Sequence, residues 1–131
     1  MKDFISKLKN APNFQMIGEM TKGRIDESQK ELGVNFSKDY YTYLQNCGCA
    51  SFYGHELTGI CNFPRLNVVD VTIEERASNP QIPQNLYVVE QANIDGMVIW
   101  QSASGEIYQS LPGKELIKIA NSLSDYIDQC I

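Results

Sequence analysis

The sequence predicts an α+β fold in which helices flank a curved, mixed or antiparallel β-sheet and form both ends of the chain. Apolar residues recur at helical spacing near both ends. The middle of the chain instead contains short segments rich in β-branched and aromatic residues, separated by turn sequences. The 131 residues contain no internal repeat and no linker, so we expect a single domain over residues 1–131.

Three helices are predicted in the first 48 residues. Residues 2–9 carry apolar side chains at helical spacing and precede a sequence that ends a helix. Residues 21–32 form a second helix, which closes at Gly33 because glycine adopts the left-handed conformation of a C-cap. Ser37 is a suitable N-cap for a third helix over residues 38–46.

The next part of the chain predicts a hairpin and one further helix. Residues 50–53 and 56–61 are short, aromatic or β-branched, and joined through Gly54 and His55. Residues 68–77 begin with β-branched side chains but continue with glutamates, arginine and alanine, so we predict a helix there.

An antiparallel meander and a last helix complete the prediction. The three predicted strands occupy residues 86–92, 97–103 and 106–111. Turn residues that tolerate a positive φ separate them, as antiparallel neighbours require. Residues 114–129 then show a long apolar stripe of helical period, which predicts a C-terminal helix packed on the sheet.

The charge of the chain excludes some classes of partner. Eleven Lys and Arg residues stand against 16 Asp and Glu residues, a net charge of −5. Nucleic acids and anionic membranes repel such a protein, so we expect neither as a partner. Between residues 66 and 113 the one basic residue, Arg76, accompanies six acidic ones. This segment predicts either a solvated acidic face or a surface that docks a basic protein.

No segment of the sequence predicts export or membrane insertion. The longest apolar runs have four residues, far short of the roughly 20 that a membrane helix needs. Charged residues interrupt the apolar residues near the start of the chain, which is not typical of a secretion signal. We therefore expect a cytoplasmic protein with reduced cysteines.

Cysteine and histidine chemistry offers an alternative function. Cys47, Cys49 and Cys61 lie near His55, the single histidine, and could form a thiol nucleophile or a zinc site. However, Cys47 and Cys49 are separated by one residue, which is short for a zinc knuckle. We favour buried structural cysteines and an exposed turn histidine. No phosphate-binding glycine motif is present, so we expect no catalytic, cofactor-binding or metal-binding residue.

Four groups of residues, in order along the chain, resemble the SUKH superfamily. That superfamily includes fungal cell-wall-assembly regulators and many bacterial immunity proteins. The matching groups are Glu31-Leu32-Gly33-Val34 with Tyr40, Tyr43-Leu44 and Cys47-Gly48; Leu57-Thr58-Gly59-Ile60 with Val68-Val69-Asp70-Val71-Thr72; Leu86-Tyr87-Val88-Val89 with Asp95-Gly96 and Trp100; and Ser122-Leu123 with Tyr126. The chain departs from the usual pattern at Phe36-Ser37, where the superfamily commonly has Leu-Pro.

The resemblance implies a SUKH-like fold and a non-enzymatic binding protein. Bacterial members typically neutralise a cognate polymorphic toxin, often a basic nuclease, by tight protein contact in the cytoplasm. We therefore expect an immunity protein that is a monomer or weak homodimer; a regulatory or scaffolding adaptor of the same fold is the alternative. The residues expected to contact the partner are the acidic ones of the 66–113 segment: Asp70, Glu74, Glu75, Glu90, Asp95 and Glu106.

Overall fold

The computed structural model describes residues 4–92 and 94–131, which fold into helices around two antiparallel sheets. The elements in chain order are α1 (Phe4–Lys9), β1 (Gln15–Met16), α2 (Lys22–Leu32), α3 (Lys38–Cys47), β2 (Ala50–Phe52), β3 (His55–Glu56), α4 (Val68–Ser78), β4 (Tyr87–Gln91), β5 (Val98–Gln101), β6 (Ile107–Ser110), β7 (Ile117–Ala120) and α5 (Leu123–Cys130). The predicted α+β class is confirmed. The predicted helical residues 2 and 3, and Asn93 of a predicted turn, lie outside the described residues.

Local capping sequences place α2, α3 and α4 where the sequence predicts them. The side chain of Thr21 accepts a hydrogen bond from the backbone of Arg24 at the start of α2, and Gly33 ends that helix with φ of 67°. Ser37 caps α3 by accepting from the backbone of Tyr40. The side chain of Asn67 does the same for α4, so the helix prediction for residues 68–77 is confirmed.

The two sheets are joined edge to edge. One has the strand order β1-β2-β3 and the other β4-β5-β6-β7, with every ladder antiparallel. Leu57, directly after β3, forms an isolated antiparallel bridge with Glu90 of β4. The backbone N–H of Thr58 then donates to the carbonyl of Val89 at 2.8 Å. The short hairpin sheet therefore continues into the four-stranded meander.

The prediction of one helix over residues 114–129 is wrong in its first half. Residues Ile117–Ala120 form the edge strand β7, which pairs with β6, and the helix α5 starts at Leu123. Ser122 ends the strand segment and caps α5 by accepting from the backbone of Asp125. The backbone N–H of Leu123 also donates to the carboxylate of Asp39 at 2.6 Å, which fixes the start of the helix against α3. The short strand β1 was not predicted.

Apolar clusters cover both faces of the four-stranded sheet. The larger cluster contains α1, α2, α3 and α5 residues and an aromatic group formed by Phe36, Tyr40 and Tyr87 with ring centroids about 5 Å apart. The smaller cluster, under α4, surrounds Trp100, whose indole N–H donates to the hydroxyl of Ser110 at 2.9 Å. Trp100 is fully buried, as expected for a core residue.

Thr58 connects the two sheets to α3 through every polar atom that it has. Its hydroxyl donates to the carbonyl of Val88 at 2.8 Å and, having one proton, accepts from the hydroxyl of Tyr40 at 2.8 Å. Its carbonyl accepts from the hydroxyl of Tyr43 at 2.9 Å. Burial raises the pKa of both tyrosines well above the ordinary value, so both hydroxyls keep the protons that they donate.

Arg76 holds α4 to its neighbours through backbone carbonyls. Its guanidinium donates to the carbonyl of Leu32 at 3.2 Å, at the end of α2, and to that of Gln84 at 2.5 Å. A third, longer bond at 3.4 Å reaches the carbonyl of Leu86. Burial lowers the pKa of this group below the ordinary arginine value. The one basic side chain of the acidic 66–113 segment is therefore directed toward backbone oxygens.

We predict that Thr58→Val destabilises the protein by about 3 kcal/mol. The buried hydroxyl of Tyr40 and the buried carbonyl of Val88 both lose their hydrogen-bond partner, while the side-chain volume at position 58 is unchanged. Chemical denaturation measures the free energy of unfolding. Thr42→Val is the matched control, since that hydroxyl bonds only to the carbonyl of Lys38 in its own helix. Adding Tyr40→Phe to Thr58→Val should cost less than the sum of the single changes. Strict additivity would contradict the proposed coupling.

We predict that Arg76→Lys destabilises the protein by about 1–2 kcal/mol, because an ammonium group cannot reproduce the planar fork that reaches separate carbonyls. The same substitution at the exposed Arg24 of α2 is the control and should change the free energy of unfolding by less than about 0.5 kcal/mol. Equal effects at the two positions would show that the carbonyl contacts of Arg76 contribute nothing.

Candidate functional site

The six acidic residues expected to contact a partner do not share one environment. Asp70 and Glu74 are exposed on α4, and Asp95 is exposed in the β4–β5 turn. Glu75 and Glu106 are partly buried, and Glu90 is buried. The charge of the segment is therefore not spread over one continuous face.

Glu90 does not fit the expectation of a docking residue, because it is 3% exposed. The pairing of β4 with β5 shifts register between Val88 and Glu90, which is the mark of a β-bulge. The bulge turns Glu90 toward α5, where its carboxylate accepts from the hydroxyl of Tyr126. His55 Nδ1 lies 2.9 Å from the other carboxylate oxygen. Glu90 therefore belongs to an internal polar cluster.

Glu75 and Glu106 are engaged with neighbouring side chains. Glu75 accepts from the amide of Gln91 at 2.5 Å, which ties α4 to the end of β4. Glu106, directly before β6, forms an ion pair with Lys118 of β7 at 3.1 Å. That lysine holds the pKa of Glu106 below its usual value. Neither carboxylate is free for a partner without breaking an existing contact.

The exposed carboxylates of α4 lie beside a second pair on α2, and we name these four residues the acidic helix pair. On α2, Glu27 and Glu31 are one turn apart and exposed; on α4, Asp70 and Glu74 have the same spacing. Helix α2 packs against helix α4. A groove of about 220 Å³ runs between them. Its lining residues are Arg24, Glu27, Ser28, Glu31, Ile60, Asn67, Val69 and Asp70.

The acidic helix pair has no internal cationic partner in the described part of the chain. The ion pairs there are Lys7–Asp128, Lys22–Asp26, His55–Glu90, Arg65–Glu56 and Lys118–Glu106. Like charges one turn apart on a helix repel by a few tenths of a kcal/mol per pair. The groove also contains Arg24, which leaves an excess of negative charge. A cationic ligand would relieve this repulsion.

An exposed apolar residue lies within the acidic surface of α4. Ile73 is 54% exposed, and its neighbours along the outer face of the helix are Asp70 and Glu74. The opposite face of α4 is buried through Val68, Val71 and other small side chains. The outer face therefore combines charge with one apolar contact point, as protein interfaces do.

Sequence reasoning missed Glu27 and Glu31 because it weighed charge in linear windows. Residues 1–33 contain six basic and five acidic residues and therefore look balanced. The spacing of these two glutamates on a predicted helix was the available signal. Their position next to α4 results from tertiary packing, and no pattern in the sequence indicates it.

The structure does not bring Cys47, Cys49, Cys61 and His55 into one ligand group. Among residues 4–92 and 94–131, a different group of three metal-ligating side chains comes together: His55, Glu90 and Cys130. Cys47 is fully buried in α3, and burial raises the pKa of Cys49 to about 12. Such thiols are protonated near neutral pH and are poor nucleophiles.

The comparison with protein families agrees with the fold. None of the helices in the described residues is long and apolar enough to cross a membrane. A search of curated proteins finds no match. A family model described as SUKH_5, SMI1-KNR4 cell-wall, matches residues 1–131 and so confirms the SUKH resemblance and an immunity-protein type of fold. The chain belongs to this SUKH family.

Proposed function

We propose that the protein is an immunity protein that binds and neutralises a cognate toxin, with the acidic helix pair as its contact surface. The observation that carries the proposal is the set of four exposed carboxylates on adjacent helices, without an ion-pair partner among the described residues. Membership of the SUKH family supports it. The protein acts non-enzymatically in the cytoplasm, as a monomer or weak homodimer.

The chemistry of the surface favours a basic protein as the partner. A nuclease domain that binds nucleic acid is basic where it contacts phosphates, and an acidic inhibitor complements that surface. Charge complementarity speeds the encounter and rejects acidic partners. The groove between α2 and α4 accommodates long Lys or Arg side chains, whose stems are apolar and whose charged ends require carboxylates.

Ile73 supplies the apolar contact at the centre of the proposed interface. Binding energy in protein interfaces is concentrated in a few desolvated residues surrounded by polar ones. Ile73 is exposed one turn from Asp70 and beside Glu74 in the sequence, so it flanks the two carboxylates as an apolar contact bordered by polar residues. The charged residues set the rate of encounter, and the apolar contact slows dissociation.

The description of the matching family model names the cell wall, and this favours a second candidate function for the same surface. In that case the protein is a regulatory or scaffolding adaptor with an endogenous basic partner. The product of the neighbouring reading frame separates the two functions, because a toxin gene supports immunity and its absence supports the adaptor.

We predict that Asp70→Lys with Glu74→Lys weakens binding to the co-expressed toxic neighbour by about 100-fold, mainly through slower association at low salt. Glu19→Lys with Glu115→Lys changes the net charge equally at exposed positions outside the helix pair and is the control. Surface plasmon resonance gives the rates, and rescue of growth reports neutralisation.

Two results would contradict the proposal. If the toxic neighbour neither co-purifies nor is neutralised, the protein is not its immunity protein. If binding persists but the control weakens it as much as the helix-pair variant does, the contact surface lies elsewhere.

A change of Ile73→Ala should raise the dissociation rate by about tenfold while the association rate stays nearly constant.

A further inference from the structure

Three side chains with metal-binding atoms converge between β3, β4 and α5. His55 Nδ1, a carboxylate oxygen of Glu90 and the thiol sulfur of Cys130 all lie within 4.8 Å of one another. They come from residues far apart in the sequence and meet because the two sheets join beside α5. We propose that this cluster binds one Zn²⁺ ion.

The donor set favours zinc over the hard divalent cations. Ca²⁺ and Mg²⁺ prefer oxygen ligands, whereas thiolate and imidazole suit Zn²⁺. One nitrogen, one oxygen and one sulfur supply three positions of a tetrahedral site, and a water molecule completes it. The thiol proton leaves to solvent when the sulfur binds the metal.

The geometry of the cluster needs a small adjustment to hold the ion. Zinc–ligand bonds of about 2.0–2.3 Å place the ligand atoms of a tetrahedral site about 3.3–3.7 Å apart. His55 Nδ1 and Glu90 Oε2 are already 2.9 Å apart, and no separation in the cluster exceeds 4.8 Å. Cys130 is the last residue of α5 and is half-buried, so rotation of its side chain can close the gap.

Neighbouring residues hold two of the ligands in place. The hydroxyl of Tyr126 donates to Glu90 Oε1, which orients the carboxylate with its second oxygen toward His55. The ring of Phe52 stacks on the imidazole of His55 with centroids 5.6 Å apart. Such supporting contacts are typical of metal sites in proteins. The four carboxylates of the acidic helix pair contribute no ligand to this cluster.

The burial of Glu90 gives the cluster a reason to bind a cation. The side chain of Glu90 is 4% exposed, whereas that of His55 is 32% exposed. Burying a carboxylate costs free energy unless charged or hydrogen-bonding groups compensate it, and a divalent ion compensates it more strongly than the hydroxyl of Tyr126 and the imidazole of His55 that contact it. A divalent ion compensates the carboxylate and the thiolate together, and the exposed side of the imidazole leaves a route for its entry.

Titration of the reduced protein with Co²⁺ tests the proposal. Binding of one equivalent should produce the ultraviolet charge-transfer band of a cobalt–thiolate bond, and Zn²⁺ should displace it. Cys130→Ser should remove the band, and His55→Ala should weaken Zn²⁺ binding by at least about 100-fold. Cys61→Ser is the matched control, because this half-buried cysteine lies outside the cluster and should leave both measurements unchanged.

A milder variant keeps the test valid if a ligand substitution unfolds the protein. Tyr126→Phe removes the hydroxyl that orients Glu90 and should weaken Zn²⁺ binding about tenfold while the thiolate band remains. Zn²⁺ should also raise the melting temperature of the natural protein but not of Cys130→Ser. The proposal is overturned if no stoichiometric thiolate band forms, or if the band survives Cys130→Ser or disappears in Cys61→Ser.

Discussion

The fold depends on the junction at Thr58, where two sheets and one helix meet at a single buried residue. Its backbone N–H, hydroxyl and carbonyl bond to β4 and to two tyrosines of α3. Because burying an unpaired polar group is costly, this arrangement allows one relative position of the sheets. That position places His55, three residues earlier in the chain, opposite Glu90 of β4. The internal polar cluster is therefore a consequence of how the sheets are joined.

Features with a local cause could be predicted from the sequence, and features with a tertiary cause could not. Helices α2 and α3 were predicted because the caps Gly33 and Ser37 directly flank the helix sequences. The strand β7 was missed because its outward side chains, such as the 52% exposed Ile117, give no clean alternation. The apolar residues of β7 and α5 share one helical spacing, but only those of α5 form a helix, because residues 117–120 pair with β6 instead.

Only part of the candidate surface could be predicted from the sequence, again because the rest depends on tertiary packing. A linear count of charge directed attention to Asp70 and Glu74, which are exposed, but also to Glu90, which the bulge in β4 turns inward. A charged residue in an otherwise apolar strand is itself a signal of a buried polar contact. The contribution of α2 could not be found by counting, because its glutamates join the surface only through helix packing.

The way α4 is attached to the fold explains how the proposed contact surface can vary on a constant framework. The inner face of α4 is held by Thr72, whose hydroxyl accepts from the backbone of Val88 at 3.0 Å, and by Arg76, which bonds to backbone carbonyls. These contacts use no side chain of the outer face. Substitutions at Ile73 and its acidic neighbours therefore change the surface without disturbing the core. A helix fixed in this way is also ordered before binding, so association loses less conformational entropy than docking of a mobile segment would.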